Sequence, residues 1–546
     1  NFQQGDTEIP NNGFESNDNE QEEEVEDGTI QYKSRLGSLS FTTLIICYAT
    51  SFSQLLVSRV IAGLGGGGST VMILTVLHDL LPPRKRSQYQ SYTYTAQMLG
   101  LVCGSPVGGF ITEYFGWRIC FKINIIPFFI VLYIFAFRLP NYDPPGNDHT
   151  PTTKKRQFTP IIREQQQQMT RNNEGKDSIF KKLYSIDFLG AILLGAANTT
   201  FTTGITLGGN TRSWTDPFIL SMLGMSAIFF LIFGLYEMLG AAYPLVSRLV
   251  ISSRNIISLC VGNHLWGLGT SVSFYVLPQL FMVRRRRKNN NLCCFVLMNV
   301  YKKGVFGMNS TRAGLSIMVE SLSISFASLC TGRYLRHQPH YRNFVLSTTV
   351  VYTLAIAVLS MWTSSGFPFV LGIICIIIEG CMSGAFVLST LLAVGTEIPR
   401  EDVSIVSSLA VMCRLMGYMN GVAIASAILQ GTLKIYLYQH IQGDDIEQLL
   451  EFIRTSIRKV PTLSPKIQHI VTDGLSLAIQ RTFWFAIACT LATFLILFFF
   501  MEDNLLWSSA SSSITTADNN GNNKNDHNTN NVPIINNKKI PEINCP

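Results

Sequence analysis

The chain is 546 residues long, 47% hydrophobic and only 14% charged. A soluble protein carries about 25% charged residues, so a string of soluble domains is excluded. The net charge of +7 is unevenly divided: residues 1–29 hold ten acids and neither Lys nor Arg, so the remainder is ten charges more positive than the total.

Taken in chain order, residues 1–35 form an acidic tail with too little apolar content to fold. About 20 apolar residues span a bilayer, and twelve runs qualify. Runs 36–57, 59–81, 92–114 and 119–139 form an N-terminal bundle of four spans over 36–139. The polar segment 140–187 reads as a cytosolic linker. Two linking spans, 188–208 and 217–241, occupy 188–241. Runs 256–282, 313–331, 344–362, 367–394, 403–430 and 482–501 form a six-helix bundle over 256–501. Between the last two runs, 431–481 is expected to be a luminal or extracellular loop. Residues 502–546, rich in Asn and Ser, form a second disordered tail. The fold class is thus all-α, a polytopic helical bundle of about 12 transmembrane helices.

Orientation follows from Lys and Arg in short loops. Arg84, Lys85 and Arg86, the basic residues of 140–187, and Arg333, Arg336 and Arg342 fall on one side if the spans alternate. That side is expected to be cytosolic, together with both tails. Segment 283–304 breaks the rule, with seven positive charges on the opposite side. It is expected to be foreign to the native protein, for instance a retained intron. The 12 Cys are scattered, mostly inside apolar runs, as small buried hydrophobes rather than a disulfide or metal framework.

Three segments carry pattern beyond hydropathy. The second run reads SRVIAGLGGGGSTVMILTVLHDLLPPRKR, the third MLGLVCGSPVGGFITEYFGWR, and the fourth opens WRICFKINIIPF. Glycines four apart in the third place small faces on one side of a helix, where a neighbouring backbone can approach closely. Pro106 removes a helical hydrogen bond. Gly65–Gly68 is no phosphate loop, since no Lys-Ser/Thr follows.

Together these segments resemble the major facilitator superfamily, in its fungal fourteen-helix drug/proton antiporter branch, and are similar to yeast vacuolar basic amino-acid permeases. The resemblance covers about 36–501. It implies an embedded arginine motif at Arg59 and an antiporter motif at Gly100, Gly104, Pro106, Gly108 and Gly109, with Ser105 inserted between Gly104 and Pro106. It also marks Asp79, Arg84 and Arg86 as cytosolic-loop residues. The fourteen-helix pattern would place two more spans before residue 36, so the first two helices are expected to be missing.

Ionisable groups inside spans are functional candidates by default. Here they are Arg59, Glu320, Glu379, Arg414 and His264, the last beside Trp266. A buried carboxyl can carry a proton, and a nearby Arg can force its release; Glu379 with Arg414, on consecutive spans, is the expected pair. Carboxylates and aromatic faces suit a cationic substrate. The function expected is proton-coupled antiport by alternating access, of basic amino acids into the vacuole, with residence in the vacuolar membrane. The alternatives are efflux of toxic cations or drugs at the plasma membrane and a decayed paralogue that transports nothing. The partners are a cationic amino acid or drug, protons and lipid. No nucleic acid, cofactor, metal or enzymatic activity is expected, and the working unit is a monomer.

Overall fold

The computed structural model describes residues 51–81, 83–137, 187–209, 211–239, 253–287, 310–337, 340–362, 368–395, 403–441 and 465–502. Among these, eleven helices follow one another: α1 (Phe52–Leu80), α2 (Pro83–Tyr114), α3 (Trp117–Phe137), α4 (Phe188–Leu207), α5 (Pro217–Leu239), α6 (Arg254–Arg287), α7 (Ser310–His337), α8 (Arg342–Met361), α9 (Phe369–Val394), α10 (Val403–His440) and α11 (Pro465–Phe500). Six of them are long and apolar enough to cross a membrane: α4, α5, α8 and most of α9, α10 and α11. Leu, Ile and Phe side chains stand exposed along most of the helices, the surface expected of a bundle whose solvent is lipid. Both tails, the linker 140–186 and most of the first expected span lie outside the described residues.

Three expected boundaries need correction. The break between runs 36–57 and 59–81 does not exist, because α1 is continuous through it. Ser58 there donates its hydroxyl back to the carbonyls of Gln54 and Leu55, so a polar residue in the run continues the helix rather than ending it. Ser51 caps the helix by accepting from the Gln54 amide. Both ends of the expected loop 431–481 are helical: α10 runs on to His440, and α11 begins at Pro465, with 442–464 outside the described residues. Its apolar residues recur at helical spacing, and Leu429, Leu433 and Leu437 bury with Val471, Leu475 and Ile479 in one core. A half-polar stripe lowers mean hydropathy without lowering the drive to pack. Finally, α6 extends through Arg287, four arginines into the segment expected to be foreign; residues 288–304 lie outside the described residues.

One large core joins α6 to α11. Trp266, Leu277, Tyr352, Trp362, Phe386 and Phe483 are fully buried in it. By contrast, Leu74 and Val102 are the only buried apolar residues described in α1 to α3. These helices are held largely through α2, which lies along α7. The Thr95 and Ser328 hydroxyls share a hydrogen bond at 2.9 Å, and both lie within hydrogen-bond reach of the Ser325 carbonyl. A Cβ on Gly332 would collide with Ser91 and would lie 2.8 Å from the Ser87 carbonyl oxygen. Arg336 reaches Gln88 at 2.8 Å. At the same end, Arg342 donates to the Phe498 carbonyl and Arg254 pairs with Glu502 at 2.8 Å. Arg336 and Arg342, two of the basic residues expected on one side, thus lie with Arg254 at one end of the bundle. Near the opposite end, the α4–α5 turn is closed by Gly209 at φ +71, against the Trp214 ring. There the Phe218 amide and Arg212 hold the Asp216 carboxyl below the usual carboxylate range.

The tightest helix crossings lie away from the third run. Among the described residues, added Cβ atoms at Gly100, Gly104 and Gly108 would meet nothing within 4 Å, so the described helices do not form the close packing expected there. It occurs on α9, where Gly380 and Gly384 face the Glu320 and Ile324 carbonyls of α7, and on α10, where Gly417 and Gly421 face His264 and Leu268 of α6. Both pairs have the four-residue spacing that lets backbones meet.

Many hydroxyl side chains turn back on their own helix. Ser69, Thr200, Thr270, Ser325, Thr348, Thr349, Thr390, Thr472, Ser476 and Thr482 each donate to a carbonyl three or four residues earlier in their own helix.

Candidate functional site

The two glycine crossings build the site. Where α9 crosses α7, backbone contact at Gly380 brings Glu379 against the helix that carries Glu320. Glu320 is 1% exposed and Glu379 fully buried. The two carboxyls interact electrostatically, and the Tyr352 phenol of α8 lies in the field of both. Tyr352 donates to Glu379 Oε1 at 3.1 Å. The Ser273 hydroxyl of α6 also lies beside the Glu379 carboxyl, and one oxygen of Glu320 has no hydrogen-bond partner among the described residues.

Where α10 crosses α6, Arg414 is 7% exposed and donates to Asn263 Oδ1 at 3.2 Å. Asn263 is oriented by its own amide, which donates to the Leu259 carbonyl at 2.8 Å. The expected Glu379–Arg414 pair is therefore not formed. No described carboxylate lies within ion-pair distance of Arg414, and the charged neighbour of Glu379 is Glu320. Consecutive position in the chain did not decide the contact; the glycine crossings did. Arg414 and Glu320 still share surroundings, because both act electrostatically on Tyr418 of α10 and Tyr94 of α2. Tyr94 packs against the core of the other helices, so α2 contributes directly to this cluster.

The remaining expected site residues fall elsewhere. His264 Nδ1 lies 3.0 Å from the Cys413 carbonyl. A carbonyl only accepts, so that nitrogen carries the proton and the ring ties α6 to α10. Trp266, expected in a cavity wall, is instead fully buried, stacked on Phe386 at 3.8 Å and tilted against Tyr352 at 4.5 Å. Its faces are occupied, and it backs the tyrosine that holds Glu379. Arg59 is exposed, with its guanidinium 4.5 Å from the Phe121 ring centroid, and does not join the cluster. Arg86 donates from Nε to the Leu81 carbonyl at the end of α1. The side chains of Asp79 and Arg84 lie outside the described residues, and those of Gly100, Gly104, Pro106, Gly108 and Gly109 belong to a helix that runs unbroken through the proline. No group of three His, Cys, Asp or Glu able to hold a metal occurs among the described residues.

Tyr352 and Tyr94 were not singled out from the sequence. The signal for Tyr352 was present, a lone phenol inside VVYTLAIAV; for Tyr94, in a hydroxyl-rich stretch at a helix start, it was not.

Comparison with known proteins adds the following. The sequence model of the Major Facilitator Superfamily matches residues 35–422. The multidrug resistance protein fnx1 of Schizosaccharomyces pombe is 25% identical over 79% of this chain and 72% of its own length. From the same yeast, the vacuolar membrane amino acid uptake transporter fnx2 is 26% identical over 80% of this chain and 66% of its own. The vacuolar basic amino acid transporter 2 of Saccharomyces cerevisiae is 25% identical over 80% of this chain and 84% of its own. A solved structure of the proton:xylose symporter XylE, of the same superfamily, is 11% identical, with a TM-score of 0.41 and coverage of 86% of this chain and 80% of its own.

Proposed function

The chain belongs to the Major Facilitator Superfamily and is a membrane transporter, and from that premise we propose that it exchanges protons for basic amino acids by alternating access, carrying them into the vacuole. The observation that carries this is the buried Glu320–Glu379 pair, with Tyr352 on one carboxyl and, among the described residues, no cation paired with either. Two negative charges placed together in a low-dielectric interior cost more than one, so such a pair exchanges protons as a unit. An arriving ammonium or guanidinium group favours the charged carboxyls and displaces a proton. When the substrate leaves on the other side, the proton returns. Binding of proton and of substrate are thereby mutually exclusive, which is what antiport requires.

The substrate class and the membrane draw on the relatives, two of which are named as vacuolar amino acid transporters. In this scheme the partners are the amino acid, protons and lipid, and the working unit is one chain. The test is uptake of labelled lysine or arginine into proteoliposomes with an acidic interior. Uptake is expected to collapse with a protonophore and to fall at least about tenfold in the Glu320→Gln, Glu379→Gln double variant. Uptake indifferent to both defeats the proposal. The second scheme, efflux of toxic cations at the plasma membrane, is favoured by the name of the multidrug resistance relative and would use the same carboxyl pair.

A further inference from the structure

We infer that Arg414, on its Asn263 support, is the receptor for the free carboxylate of an α-amino acid, and that Glu320 and Glu379 receive its two cationic groups. The inference rests on the proposed transport of basic amino acids and deepens it. An arginine side chain is always charged, and a buried charge is costly unless paired. Arg414 is only 7% exposed, yet among the described residues its guanidinium donates to a neutral amide oxygen. Across the same cluster stand two carboxyls without a cation. Trp266, one turn along α6 from Asn263, packs on the Tyr352 that donates to Glu379, and Arg414 and Glu320 both neighbour the Tyr94 and Tyr418 phenols, so one cation and two acids border one cluster with no ion pair between them among the described residues.

Lysine and arginine carry the inverse set, one carboxylate and two cations. Placed in the cluster, such a molecule would neutralise every uncompensated charge at once. A diamine of the same chain length would satisfy the carboxyls and leave Arg414 unpaired. A dicarboxylate would satisfy Arg414 and meet two acids. The arrangement therefore selects for the carboxylate as well as for the basic side chain, which a general cation exporter does not need to do. Asn263 is a suitable support because an amide orients the guanidinium without neutralising it; an aspartate of nearly the same shape would occupy it permanently.

The test uses purified full-length protein, reading ligand binding from the thermal-unfolding midpoint and transport from proteoliposome uptake. Lysine at high occupancy is expected to raise the midpoint by about 2–4 °C, and cadaverine, which is lysine without its carboxylate, is expected to leave it unchanged. Asn263→Asp is expected to fold with an undiminished midpoint and to bind lysine at least about tenfold more weakly, while Asn263→Gln retains the preference for lysine over cadaverine. Equal responses to lysine and cadaverine, no response to lysine, or unweakened lysine binding in Asn263→Asp each overturn the inference. Lysine binding without proton-dependent uptake would instead overturn the transport scheme and leave the carboxylate receptor standing. Uptake competed equally by cadaverine would do the reverse.

Discussion

The two sets of glycines can be set against each other. Ala at Gly384 would place its Cβ 2.5 Å from the Ile324 carbonyl oxygen and 3.3 Å from its carbon and Cα. These are backbone atoms of a crossing helix and cannot swing aside. Ala at Gly104 would meet nothing within 4 Å. Both substitutions gain the same helix propensity, about 1 kcal/mol, so that contribution cancels between the two variants. What remains is the overpacking cost at Gly384, about 1–3 kcal/mol, or a difference of about 1–3 °C at roughly 1 °C per kcal/mol for a chain of this size. The free thiols of Cys260, Cys375 and Cys489 are buried and would report unfolding to a maleimide dye. Because unfolding of a large bundle is commonly irreversible, the variants are compared at one scan rate. Gly104→Ala is expected at or above the parent midpoint, with Gly384→Ala clearly below it. A fall in Gly104→Ala as large as that in Gly384→Ala would refute the assignment of the packing seam to α7 and α9.

Other outcomes follow from single contacts. Tyr352→Phe removes the donor to Glu379 and is expected to cost about 1–3 kcal/mol, visible in the same dye assay, with proton-dependent uptake reduced. Leu437→Ala is expected to cost about 2–5 kcal/mol, because Leu437 is fully buried in the core; a neutral result would restore the luminal loop expected from the sequence. Thr95→Val removes the hydroxyl that α2 shares with Ser328, at about 1 kcal/mol, and is expected to speed cross-linking of cysteines introduced on the exposed faces of the two helices, as the seam opens more often. Gln88→Ala cuts an exposed contact to Arg336 and is expected to change the midpoint by less than about 0.5 kcal/mol equivalent.

Most of the helical plan was legible from hydropathy, because a run such as 482–501 has no other stable environment than a membrane or a large core. The failures have a common cause. Mean hydropathy reads composition, whereas 431–440 and 465–481 are ordered by a stripe: Leu433 and Leu437 bury while Tyr438, on the other side of the helix, stays exposed. The site was half legible. Glu320, Glu379 and Arg414 stood out as charges in apolar runs, and all three are buried. Which of them meet was not legible, since partners are chosen by where helices cross. The four-residue glycine spacing was the right signal applied to the wrong helix: it was read at Gly100, Gly104 and Gly108, while Gly380–Gly384 and Gly417–Gly421 make the contacts. Small residues permit an approach, and only the rest of the fold decides whether anything approaches.

The hydroxyl groups that turn back on their own helices have a chemical consequence for what the interior can recognise. A serine or threonine has one proton to give, and at Thr270, Ser325, Thr390 and Thr482 that proton already points at a carbonyl of the preceding turn. Such a side chain still offers lone pairs. To a visiting molecule, an interior rich in serine and threonine therefore presents mostly acceptors. A polyol, which needs donors as often as acceptors, finds few groups able to answer it. An ammonium or guanidinium group, which only donates, finds many. On the proposed scheme, selection for a nitrogen cation would then be distributed along the helix walls as well as concentrated in two acids.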